Sequence, residues 1–467
     1  MFLRPVNGSP KSSPQQKLGN YMKNFIASSL FTGRGHKTKA VFAFVGTMGL
    51  LGPGILLAVV TGGTQRGSSS ASAVSSVCAT ATGYTDAASV NISRNPAPPQ
   101  SSTVINLTAP VTISTAMKDV TYNVTGAFRG PAITLTPSGS LTRIVVKVNK
   151  LANTGVYGPG TVADVTVSNA ITCGFAGVQH FQGACADTGS GTGFRLQGTG
   201  VTLAADAMLK SNDGGHFGFY LYGLHDSHFD GAIVAINGGQ TSRDTSATGV
   251  EFWHDVQRTS FNIIISNANT GYGLAIYGAS ANNTIHEFYG DGAGSFDSDP
   301  GISVGGGAHD NTITKATVKN YTCGAIFGED VSPPPHGNRI DTLFVEHTPF
   351  PGVVMDHGAY NNTLGSVGGV TLTNIGSPDV YRGSVFIANR PGQKGPPPHG
   401  NKVLGLVQSG TVHTPIYAVY LGVGTTGNTV VGSASSWSTG KLLDQGTGNT
   451  VNVTGAAVQP PTHTISP

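Results

Sequence analysis

Charge is scarce in this chain. Only 10% of its 467 residues are Asp, Glu, Lys or Arg, and the net charge is +3. So little charge argues against a protein of amphipathic helices with solvated faces, and no basic nucleic-acid patch is visible in the body. Aromatics make up 8%, with two Trp, and there are four Cys. Cys173 and Cys185 are close enough to close a small loop, whereas Cys78 and Cys323 are far apart, a usage that fits export. Acidic residues are missing altogether from 1–39, where Arg4, Lys11, Lys17, Lys23, Arg34, Lys37 and Lys39 lie. The remainder is therefore slightly acidic.

That basic head is rich in Pro, Ser, Gly and Gln, which predicts disorder. An uncharged run, Ala40 to Thr61, follows it. As a helix it would reach about 33 Å at ~1.5 Å per residue, enough for a bilayer core. Positive charge before it predicts a cytoplasmic head and an exported remainder, a membrane-anchored extracytoplasmic protein. The alternative is secretion after signal cleavage near Ala71-Ser-Ala73. Residues 62–78 read as a flexible linker, and 79–467 as one β domain with an N-terminal cap and a frayed tail.

Glycine is plentiful, at 67 positions, and it is placed periodically. Gly301-Ile-Ser-Val leads to Asn311-Thr-Ile313, Gly324-Ala-Ile-Phe to Asn338-Arg-Ile340, and Gly352-Val-Val-Met to Asn362-Thr-Leu364. Gly383-Ser-Val-Phe leads to Asn401-Lys-Val403, Tyr417-Ala-Val-Tyr to Asn428-Thr-Val430, and Gly440-Lys-Leu-Leu to Asn449-Thr-Val451. Earlier openings stand at Gly218, Gly249 and Gly273, the last leading to Asn283-Thr-Ile285. These starts are 23 to 34 residues apart, with the surplus in the turns, which is the mark of a solenoid. Strands with two or three buried positions make it a β-solenoid. The recurring Asn predicts a ladder of side-chain amides from coil to coil.

The pattern resembles the right-handed parallel β-helix of the pectate-lyase-like superfamily, over roughly Val104 to Val453. The resemblance implies an all-β, right-handed parallel β-helix solenoid, here with an N-terminal transmembrane helix. It implies no particular activity, because the scaffold hosts many. Asp356-His357 after Val354-Met355 resembles the Trp-Ile-Asp-His segment of pectate lyases, whose Asp is a Ca²⁺ ligand, but Val354 stands in the place of the Trp. The Arg-x-Pro-x-x-Arg of those lyases is missing. So are the Asn-Thr-Asp, Asp-Asp and Gly-His-Gly segments of the pectin hydrolases.

Chemistry must then come from side chains pointing out of the coils. With the first and third positions after each glycine inward, the fourth places Tyr222, Trp253 and Tyr277 on successive coils. They are expected to form a continuous exposed strip for the faces of sugar rings. Asp226, Glu251, His254, Asp255 and Arg258 gather beside it. For a polyuronate lyase, His254 or Arg258 would be the base and the other the stabilising charge, with Asp255 orienting His254 or holding Ca²⁺. For a hydrolase, Asp226 and Asp255 would be the carboxylate pair. Two classes stay open: a polysaccharide-binding module, or a lyase, hydrolase or epimerase of uronic-acid glycans. A repeated Pro-Pro-Pro-His-Gly-Asn segment, at Pro333 and Pro396, would bring His336 and His399 to one side of the solenoid, where they could share a metal or ligand.

Overall fold

The computed structural model describes residues 97–458, apart from internal stretches of which 170–191 and 240–246 are the longest. The basic head, the apolar run 40–61, the linker, most of the proposed cap, the last residues of the tail, Cys78, Cys173 and Cys185 lie outside the described residues. Among the described residues no helix is long and apolar enough to cross a membrane. The chain divides into Met1–Gln65 and Arg66–Pro467, and everything described belongs to the second unit.

Among the described residues the strands form two parallel sheets of 16 and 14 strands; each coil gives a strand to each, and the larger sheet has two further short strands, Ala116–Lys118 and Thr202–Leu203. The glycine-led segments build the 14-stranded sheet, through Phe217–His225, Thr248–His254, Leu274–Ile276, Ile302–Gly305, Ala325–Glu329 and their successors. The segments after each Asn build the other, through Ser260–Asn267, Thr284–Asp291, Thr312–Lys319 and Arg339–Thr348. Parallel pairing needs a crossover, and here each crossover is the other half of the coil. The fold is a parallel β-helix.

Alternation along each strand sends side chains to opposite faces, which is why the core is a line of stacked layers. Phe219, Leu221, Val250, Phe252, Leu274 and Ile276 all sit inside, as the glycine spacing predicts. Phe194 stacks on Phe219 at 4.7 Å between ring centroids, and Phe229 on Phe261 at 4.9 Å. Burying each such side chain contributes roughly 1.5–3 kcal/mol.

The turn between the sheets is equally regular. Asn283 Nδ2 donates to Asn311 Oδ1 at 2.9 Å, and the same bond recurs from Asn311 to Asn338, Asn338 to Asn362, Asn362 to Asn401, Asn401 to Asn428 and Asn428 to Asn449. Where the ladder meets the Gly249 coil, Thr259 takes the position and donates its hydroxyl to the Leu224 and Gln257 carbonyls. Asn262, the nearest Asn on that coil, is exposed and bonds to the Asp230 carbonyl instead.

Two residues before each ladder position, a column of single-residue bridges runs from His225 through Gln257, Ala281, His309, His336, Tyr360, His399 and Thr426 to Thr447. The residue between bridge and ladder has positive φ in each of these turns: Asp226, Arg258, Asn282, Asp310, Gly337, Asn361, Gly400, Gly427 and Gly448. Gly337 has a second reason to be glycine, since a Cβ there would collide with the Asp310 carboxylate.

The outer face of the 14-stranded sheet is not bare in its C-terminal half. Ile326, Val354 and Phe386 point outward and are buried with Cys323, Phe350, Tyr381 and Ala388 in a second apolar cluster. Cys323 is disulfide-bonded.

Candidate functional site

On the N-terminal half of that outer face the residues are polar and aromatic. Parallel register sets Tyr157, Arg195, Tyr220, Glu251, Ala275 and Ser303 side by side on successive strands. The Arg195 guanidinium lies 5.6 Å from the Tyr157 ring centroid, 5.6 Å from Tyr220 and 5.5 Å from Tyr222, a favourable arrangement for a cation over aromatic faces. Glu251, one strand on from Tyr220, is only 3% exposed. Burial, reinforced by the Glu251 charge, pushes the Tyr220 hydroxyl well above the ordinary phenol range, so it stays a proton donor. Ala275, next along from Glu251, is fully buried, and past it Tyr277 and Ser303 join hydroxyls at 2.6 Å.

The continuous strip expected from Tyr222, Trp253 and Tyr277 does not form. A register shift after Leu221 pairs Tyr222 with His254, which leaves Trp253 between rungs. Tyr222 is 37% exposed and its ring stacks on His254 at 5.6 Å. Trp253 is half-buried and meets Tyr277 edge-on at 6.3 Å. Tyr277 is buried, at 6% exposure, because its hydroxyl turns to Ser303 and Tyr272 packs edge-on against its ring. At that exposure the Tyr277 ring is not part of the open surface around Tyr222.

The polar candidates are brought close, but with other partners than expected. Asp255 does not orient His254. Its Oδ2 and its carbonyl meet His225 Nε2 at 3.1 and 2.8 Å, and Gln257 Nε2 donates to its Oδ1 at 2.6 Å. His254 is exposed, with Tyr222 as its ring neighbour. Arg258 grips Asp226 through both oxygens, at 2.6 and 2.9 Å. These two occupy the same positive-φ turn position one coil apart, so their side chains leave the turn side by side. The hydrogen bonds and charge of Arg258 hold the Asp226 carboxyl below its usual range, and Asp226 raises Arg258 in return. An ionised Asp226 is a poor general acid, and Arg258 is already neutralised as a charge for an enolate.

Asp356 is not an open Ca²⁺ ligand. It is 1% exposed, and Arg390 Nε donates to its Oδ2 at 2.6 Å. A buried guanidinium there repels a cation, so the residues do not fit Ca²⁺. Among the described residues no group of three or more His, Cys, Asp or Glu is arranged to hold a metal ion.

Arg195 and Tyr220 were missed by the sequence reading, although a signal was present. Gly193-Phe-Arg-Leu has the same opening as Gly218-Phe-Tyr-Leu, 25 residues earlier, and its second position is the outward Arg.

The architecture defines the class, a parallel β-helix with an aromatic and charged patch outside one sheet. No family model and no curated protein matches the chain. Among solved structures it is similar to the A-module of the Azotobacter vinelandii mannuronan C-5 epimerase AlgE6. That likeness has 13% identity and a TM-score of 0.45, and covers 76% of this chain and 92% of the other. No activity is carried over from it.

Proposed function

We propose that this protein is an exported, membrane-anchored β-helix that binds an acidic polysaccharide on the outer face of the 14-stranded sheet. The observation that carries the reading is the exposed Tyr222 ring, flanked by His254 at 5.6 Å and by the Arg195 guanidinium at 5.5 Å. A sugar ring would cover Tyr222, and a sugar carboxylate would meet Arg195. The anchor in this reading is the apolar run 40–61, with the basic head before it on the cytoplasmic side.

A second reading, cleavage or epimerisation of a uronic-acid chain, draws on the buried Glu251 and the raised Tyr220 hydroxyl in the same file. His254 would serve as the base, and Arg195, rather than Arg258, would stabilise the developing negative charge.

Both are tested with the detergent-solubilised full chain and a panel of uronic-acid and neutral polysaccharides, with and without Ca²⁺. Affinity electrophoresis measures retention, ultraviolet absorbance reports unsaturated ends, and a reducing-end assay reports hydrolysis. Epimerisation is followed by proton NMR of the polymer. Retention of acidic polymers that falls roughly tenfold, or about 1.4 kcal/mol, in Tyr222→Ala supports the binding reading. Retention unchanged in Tyr222→Ala and Arg195→Gln refutes it. A chemical signal abolished by His254→Ala makes the protein an enzyme.

A further inference from the structure

The triproline loops do not bring His336 and His399 together, because the Tyr360 ring stands between them, parallel to both within 3°. The surface still without a role is the outer face of the 16-stranded sheet. Ile264, Phe288, Val318, Leu343 and Leu372 of that sheet point into the core, so alternation turns their neighbours along each strand outward. Register then lines up Ile265, Tyr289, Thr317, Phe344, Thr371 and Val407 on six successive strands. They make one ridge of aromatic and β-branched side chains along the solenoid. Phe344 and Val407 are 38% and 48% exposed, whereas Phe386 on the other sheet has the Tyr381 ring packed edge-on against it.

Charged residues flank the ridge on both sides. Two residues before it, Glu287 and Lys315 pair at 2.7 Å across neighbouring strands, and two residues after it Lys319 and Glu346 pair at 2.8 Å. All four keep between 32% and 50% of their side chains exposed. An apolar strip rimmed by charge is the anatomy of a protein contact. The order of the charges selects the partner. Glu287 and Lys315 share one level along their strands, as do Lys319 and Glu346, so a copy of the face turned end for end sets acid over base.

We propose that this face pairs with the same face of a second copy of the chain, in a twofold dimer whose solenoids run antiparallel. The axis lies between the strands Thr284–Asp291 and Thr312–Lys319 and parallel to them. Rotation about it keeps each residue at its own level and exchanges the two strands, the self-complementary arrangement of a twofold interface. Glu287 then faces the partner's Lys315 and Lys315 the partner's Glu287, so four charges alternate around the axis. On the ridge Tyr289 meets the partner's Thr317, and Ile265 meets the partner's Phe344. Parallel solenoids would instead set Lys315 against the partner's Lys319, and like charges in opposition exclude that arrangement. Four strands on each side of the axis, at about 4.8 Å spacing and about 3.3 Å per residue, give a face of roughly 34 by 23 Å. Its area of about 800 Å² is what a stable interface takes from each partner.

The test is sedimentation velocity of the full chain in density-matched detergent at micromolar concentration. The wild-type protein is expected to sediment as a dimer, with self-association weakened at least tenfold in Lys315→Glu and in Glu287→Lys while both keep the wild-type circular dichroism. Mixed in equal amounts, these two variants are expected to regain the dimer, because each carries a single sign at both positions and the two signs are opposite. Phe344→Gln is expected to weaken the dimer as well, with no rescue by either charge variant. A dimer held by any other surface would be indifferent to these exchanges. A monomeric wild-type protein, charge variants that associate as the wild type does, or a mixture no better than its components overturns the proposal.

Discussion

Replacing Asn338 by Ala cuts the amide ladder in the middle of the solenoid, and the cost can be worked out atom by atom. Asn338 is 3% exposed. Its Nδ2 donates to Asn362 Oδ1 at 3.1 Å, to the Ala308 carbonyl at 2.9 Å and to the His336 carbonyl at 3.1 Å. Its Oδ1 accepts from the Asn311 backbone N–H at 3.2 Å and from Asn311 Nδ2 at 2.9 Å. Most of these partners keep a bond after the substitution. The Ala308 carbonyl still receives His336 N–H, the His336 carbonyl still receives Asp310 N–H, and Asn311 Nδ2 still reaches the Ser280 carbonyl. The Asn311 backbone N–H loses its acceptor and is left buried, at a cost of about 1–3 kcal/mol. With the lost amide bonds added, the total is roughly 2–4 kcal/mol. At about 2.1 cal/mol/K per residue over roughly 300 described residues, 1 kcal/mol corresponds to about 1.6 °C, so Tm falls by about 3–6 °C. Thermal unfolding followed by circular dichroism measures this, with Val367→Ala, 80% exposed in the native protein, as the surface control. A shift under about 1 °C, or one no larger than the control's, would refute the argument that the ladder satisfies otherwise orphaned groups.

Two further predictions concern ion pairs. Arg143 bonds both oxygens of Asp119, at 2.6 and 2.8 Å, and holds its carboxyl down at about 2. A depressed folded value contributes stability that is present above the unfolded value of about 3.9 and lost as pH falls towards the folded one. The Tm penalty of Arg143→Gln should therefore be present at neutral pH and fade between about pH 4 and about pH 2. A penalty undiminished at the acid end contradicts it. The second pair is buried: Asp356 and Arg390 are 1% and 8% exposed at the side chain. Asp356→Ala takes the buried carboxylate away from the guanidinium and should cost about 3–5 kcal/mol, and the Asp356→Ala/Arg390→Ala double variant should cost less than the sum of the singles. A double-mutant cycle that closes additively would show that the two charges do not depend on one another.

The repeat was legible in the sequence because it is a local requirement imposed on every coil. Each turn between sheets needs a residue tolerating positive φ, then a side chain that bonds the coil above and the coil below, and Gly337-Asn338, Asn361-Asn362 and Gly400-Asn401 spell that out in turn. The inward positions after each glycine were legible for the same reason, since alternation along a strand is a backbone property. The candidate site was legible as a neighbourhood but not as a set of partners. One shifted rung between Leu221 and Tyr222 was enough to swap Trp253 for His254 beneath Tyr222 and to break the aromatic strip.

What the sequence determined by itself is the parallel β-helix: its period, its core file and its amide ladder, all consequences of groups that every coil must satisfy alike. What only the tertiary structure decided is which unlike residues meet across coils: Asp226 with Arg258, Asp255 with His225, Asp356 with Arg390, and His336 with His309 rather than His399. These contacts join residues in different coils, and turns of unequal length lie between them. Their pairing is set by the three-dimensional register of the stack, which no spacing along the chain encodes.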